Sequence, residues 1–118
     1  MAGQMIRTPS MVQAKSVNTT GDFAEAGTGT LLCSIDQVNV FSNHIHVHCT
    51  TATPTGVSFF AFPTDSANAA EANRILMLAN TAFSLGNSLG VGYDDDVTHN
   101  VSGCLGDCRN IVWVSLRP

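Results

Sequence analysis

The chain has 118 residues, 44% hydrophobic and 12% charged, with a formal net charge of −4. That is the length of one domain and the apolar content of a real core, which excludes a disordered polar chain. Only five cationic side chains stand against nine anionic ones, which argues against binding nucleic acid through phosphate neutralisation. No apolar run approaches the roughly 20 residues of a membrane-spanning helix.

Residues 1–29 are rich in Gly, Ser, Thr and Asn and hold one short alternating stretch, Met11 to Val17. They read as an extended N-terminal arm, an edge strand or a frayed tail, with residues 30–118 forming the folded domain. The first residues, MAGQMIRTPS, lack the apolar stretch of a signal peptide.

The pattern sharpens from Thr30. Leu31, Cys33 and Ile35 share one strand face, but Val38 and Val40 have the opposite parity. A period-2 strand that changes parity needs an extra residue, so the sequence predicts a bulge near Asp36–Gln37. Ser42-Asn43 is turn chemistry. A second strand is expected from His44 to Thr50, and a third from Val57 to Phe62. The third is apolar on both faces, as in strands covered twice, by their own core and by a helix or partner. Pro63 is expected to end it.

A helix is predicted from about Asn68 to Leu85, with Ala72, Ile75, Leu76, Leu78, Ala79, Ala82, Phe83 and Leu85 on one half of the wheel. Asn68 and Glu71 have the spacing of a capping box, and Gly86 is placed as a left-handed stop. Two more strands follow, SLGVGYD and NIVWVSLRP, joined by the polar loop DDDVTHNVSGCLGDCR. The order β-β-β-α-β-β makes the chain mainly β with one helix. It is the connectivity of an OB-fold, a five-stranded Greek-key barrel, with a mixed α+β sandwich as the competing architecture.

Four cysteines in a short chain favour two disulfides in an oxidising compartment, the alternative being four reduced thiols. Cys33 and Cys49 lie on two strands joined by a turn, where a cross-hairpin bridge is geometrically reasonable. Cys104 and Cys108, in GCLGDC, would close a tiny loop. The location is expected to be secreted or periplasmic if the disulfides form and a leader has been removed, and cytoplasmic otherwise.

This layout resembles the OB-fold B subunits of pentameric bacterial toxins, the subtilase-cytotoxin and pertussis-like group. The likeness lies in the hairpin cysteine spacing, the segment NRILMLANTAFSLGNSLGVGY feeding the fourth strand, and the second cysteine pair near the C-terminus. It extends over roughly residues 30–116. It implies a homopentamer with helices around a central pore and a glycan-binding side face. The acidic loop departs from that pattern, because Asp94, Asp95 and Asp96 would repel an acidic sugar.

Three sequence features could carry chemistry. His44, His46 and His48 project from one face of the second strand at steps of about 7 Å, with Ile45, Val47 and Cys49 turned to the core. The simplest reading is an exposed polar face; in the version that places it at a subunit contact, acid would weaken assembly. The alternative is zinc, with His99 or one of Asp94 to Asp96 as third ligand and a bound water for hydrolysis. The three aspartates read as a solvated acidic turn, since calcium-loop spacing is absent. Cys104 and Cys108 lack the two-residue gap of a redox motif and read as a loop staple.

No nucleophile-elbow or phosphate-loop motif is present. Trp113 alternates with Ile111 and is expected in the core, whereas Tyr93 is expected at the surface beside the acidic loop. Candidate ligand contacts are therefore Tyr93, Asp94, Asp95, His44 and His46, with no cofactor. Scarce charge and a doubly apolar third strand point to self-association. The function expected is a non-enzymatic module in a ring-like homo-oligomer, a pentamer, that recognises a carbohydrate or small polar ligand. The alternatives are a structural or assembly protein without a ligand, and a zinc-dependent hydrolase using the histidine face.

Overall fold

The computed structural model describes residues 28–118. The element order is β1 (Thr28–Val40), β2 (His44–Cys49), β3 (Phe59–Pro63), α1 (Ala69–Leu85), β4 (Ser88–Asp94), a short 3-10 turn (Val97–His99) and β5 (Cys108–Arg117). The expected arm and the stretch Met11 to Val17 lie outside the described residues, except that Thr28 and Gly29 already belong to β1.

The expected bulge shapes the whole sheet. β1 has 13 residues, and its register with β2 shifts between Ile35 and Gln37. Asp36 is the extra residue, so Ile35 faces Cys49 while Gln37 faces His48. Before the bulge, Thr28 to Ser34 pair with β4; after it, Gln37 to Val40 pair with β2. A bulge bends its strand and increases its twist, which lets one long strand serve two neighbours. The five strands close in a ring in the order β1-β2-β3-β5-β4, all antiparallel except for the β3–β5 pair.

Inside the ring lie Cys33, Ile45, Val47, Phe60, Leu89 and Val91, each nearly sealed from solvent. The disulfide Cys33–Cys49 sits among them and ties β1 to β2. Helix α1 adds Ala72, Ile75, Ala79 and Ala82 to the same cluster. Its buried stripe is narrower than the apolar half-wheel: Phe83 and Leu85 are exposed, with Met77. The start of the helix also differs from expectation. Asn68 donates to Asp65 Oδ1 at 2.7 Å, and Glu71 accepts from Arg74, so no capping box forms. Gly86 stops the helix in the left-handed conformation at φ 69°, a region where only glycine avoids a Cβ penalty.

The double apolar face of the third strand is covered on its outer side by this same chain. Ala61, Cys104 and Cys108 form a second small cluster, flanked by Phe59 and Val101. The disulfide Cys104–Cys108 thus closes a loop that roofs β3. Two disulfides are compatible with an oxidising compartment. Among the described residues, no helix is long and apolar enough to cross a membrane.

Candidate ligand site

Tyr93 and Trp113 exchange the places expected for them. The cause is a second register shift, between Gly92 and Tyr93 of β4: Tyr93 faces Ile111, but Gly92 faces Trp113. Val112 is the extra residue, so inward parity stops at Ile111 and Trp113 turns outward. Tyr93 is 9% exposed and its ring lies across Gly29, with Phe60 5.2 Å away between centroids. Burial, and to a lesser degree the charge of Asp95, raises its pKa above the ordinary tyrosine value.

Outside the ring, Leu89, Val91 and Tyr93 leave Gly90 and Gly92 as the outward residues of β4. A Cβ at Gly92 would collide with the indole nitrogen of Trp113, and one at Gly90 with the Ser115 hydroxyl. The Trp113 indole therefore lies over Gly92, and Gly90 alone contributes to the floor of a groove beside it. Thr30, Leu31 and Leu32 of β1 wall it on one side, and Trp113 and Arg117 of β5 on the other. The result is an open groove of about 280 Å³. Arg117 donates to Ser115 Oγ at 2.9 Å and has no carboxylate partner among the described residues. Sequence reasoning missed this groove, although the alternation of glycine with large apolar residues in LGVGY is its signal.

The acidic turn is occupied by its own chain. Asp94 accepts from His99 Nδ1 at 2.6 Å and from the Asp96 amide at 3.0 Å. Asp95 accepts from Arg109 Nε at 3.1 Å, and Asp96 caps the 3-10 turn through Thr98. The bond to Asp94, with the charges of Asp94 and Asp96, raises the pKa of His99 above the ordinary 6.5. Bonds from the Thr98 hydroxyl and amide hold Asp96 below the usual carboxylate range. A spent carboxylate has little left for a ligand.

The histidine face of β2 is also not the open surface expected. His44 is only 4% exposed, stacked on Phe41 at 4.7 Å and covered by Gly103. His46 and His48 are half-buried against Phe59. The bulged Asp36 accepts from His48 Nδ1 at 2.6 Å. Burial lowers the pKa of His44 and of His46, and for His46 the neighbouring imidazoles lower it further while Asp107 opposes them. Among the described residues no three His, Cys, Asp or Glu side chains gather where they could hold a metal ion. His99 and Asp94 to Asp96, the alternatives for a third ligand, are engaged with one another and with Arg109 and Thr98.

The candidate contacts thus fall into two separate places, Tyr93, Asp94 and Asp95 at the end of β4 and His44 with His46 on β2. His46 lines a small cleft of about 170 Å³ with Phe59, Gly103, Leu105, Asp107 and Cys108. Three asparagines outside the sequence expectations organise its roof. Asn43 donates to Ser102 O, Asn100 to the carbonyls of Cys104 and Cys108, and Asn110 to His99 O. No protein-family model matches the chain, and no curated protein matches its sequence.

Proposed function

We propose that this domain is a non-enzymatic binding module of OB-fold type that recognises a carbohydrate or similar small polar ligand in the groove of β1, β4 and β5. One observation carries the reading: an indole turned outward beside a groove floored by Gly90, with an arginine that has no carboxylate partner among the described residues. Aromatic rings with a polar edge serve surfaces that meet half-apolar ligands such as pyranose faces. Arg117 supplies fixed donors for hydroxyl or carboxylate oxygens. The strand order and the helix between β3 and β4 support the OB-fold assignment.

A homo-oligomeric ring, a pentamer, belongs to the same proposal. Its support is the low charge, together with Met77, Phe83 and Leu85 exposed on α1. Repetition of a weak site around a ring would raise avidity by orders of magnitude. The same exposed apolar side chains favour the second reading, an assembly protein with no small ligand.

A glycan array on the intact protein tests the first reading. Binding is expected, and Trp113→Ala should weaken it about tenfold, the loss of roughly 1.4 kcal/mol. The domain should keep its melting behaviour, because the indole lies outside the core. Light scattering tests the ring; a monodisperse monomer at micromolar concentration would remove it. An oligomer that binds no glycan would favour the assembly reading.

A further inference from the structure

His44 offers a buried proton acceptor that nothing in the binding proposal uses. Asn43 donates through Nδ2 to Ser102 O at 2.7 Å, so its Oδ1 is the end that faces His44 Nδ1 at 2.8 Å. Nδ1 must then carry the proton, which leaves Nε2 as a bare lone pair. That atom is buried and has no hydrogen-bond partner among the described residues. Phe41 stacks against the ring, and Gly103, at φ +99°, sits where a side chain would meet its Cε1. Asn43 therefore links the imidazole directly to the segment that covers it.

We propose that residues 101–107 form an acid-released lid over β2 and β3, with His44 as the proton sensor. Proton uptake turns Nε2 into a charged donor with no acceptor in a site closed to water. Such a group is costly to keep buried, and the cost is relieved when the roof lifts and water reaches the ring. Opening exposes His44, His46, Phe59 and Ala61, an aromatic and apolar strip. The Cys104–Cys108 disulfide keeps the lid a compact loop as it moves.

Among the described residues the ionisable groups along this face are few. His46 and His48 follow on β2, Asp36 of β1 is bonded to His48, and Asp107 lies at the far end of the lid beside His46. β3 contributes only Phe59, Phe60, Ala61, Phe62 and Pro63. Among the described residues no carboxylate is bonded to His44, and His46 would add repulsion once charged. The sign follows from its lowered pKa. Closure is fully favoured above the ordinary 6.5 and is lost as pH falls below it toward the closed-state value.

Hydrogen exchange on the whole protein, between about pH 7 and pH 5.5, tests the lid. Protection of the Ser58 and Phe59 amides, which both bond to Asp107 O at the end of the lid, should fall about tenfold. Protection of the His99 amide, bonded to Asp96 O, should hold. His44→Gln and His44→Phe should each flatten the pH response of the lid. An unchanged wild type, or a response that persists in both variants, overturns the proposal. Should neither variant fold, an NMR titration of the unaltered protein decides. The His44 ring must titrate below the ordinary value with the same midpoint as the Ser58 and Phe59 amides, and a separate midpoint overturns it.

Discussion

Residues 94–99 and 100–107 are two halves of one connection between β4 and β5, and opposite chemistry holds them. The first half is exposed and ionic: three aspartates are met by His99, Arg109 and Thr98. The second is pinned to the sheet by a disulfide, by asparagine bonds to main-chain carbonyls and by contact with a neutral, buried imidazole. The first half has His99 as its histidine partner and the second has His44 and His46, shifted in opposite directions. A charge near carboxylates is stabilised, and the same charge in a closed apolar site is not. Acid should therefore tighten one half and loosen the other.

The largest effect on this contrast is expected at Gly103. Its positive φ and the imidazole beneath it both oppose a side chain, so Gly103→Ala should cost about 3 kcal/mol. Gly106 lies in the same loop with open space around it, so Gly106→Ala should be near neutral in denaturant melts. Equal costs would show that the lid does not rest on His44.

Next comes the lid disulfide. Replacing both Cys104 and Cys108 by serine should cost about 2 kcal/mol on the chain-entropy scale for so short a loop. Replacing Cys33 and Cys49, which span 16 residues inside the core, should cost about 3 kcal/mol before any packing loss. Only the first change should leave the amides of the ring fully protected in hydrogen exchange.

Arg109 couples the halves: it donates to Asp95 in the first, and to Gly106 O and Cys108 O where the second meets β5. Arg109→Ala should cost about 1.5 kcal/mol and loosen both halves together. Loosening of one half alone, seen by amide exchange, would break that assignment.

The smallest effect is His99→Gln. The raised pKa of His99 makes its contribution full below the ordinary 6.5 and lost as pH rises through the folded value. The variant should flatten the stability profile above pH 6.5 and leave the acid side to His44. A profile unchanged by the substitution would mean that the ion pairs at the turn add nothing, as exposed pairs often do.

Much of this fold is written in short stretches of sequence. The parity change from Ile35 to Val38 marked the bulge at Asp36, a helical apolar stripe marked α1, and Gly86 marked its end. Each is a local property, because strand and helix periods act over a few residues. The element order and the pairing of the cysteines followed from the same local signals. The bulge at Val112 carries no comparable mark, since Ile111, Val112, Trp113 and Val114 are all apolar and either parity is acceptable. Only pairing with β4 chose between them, sending Trp113 out and leaving Tyr93 in. His44 lies on the strand face expected, yet it is buried because a loop that begins about 50 residues later folds over it. Alternation tells which side of a strand a residue takes; what covers that side depends on chain that arrives from elsewhere, and only the closed tertiary structure brings it there.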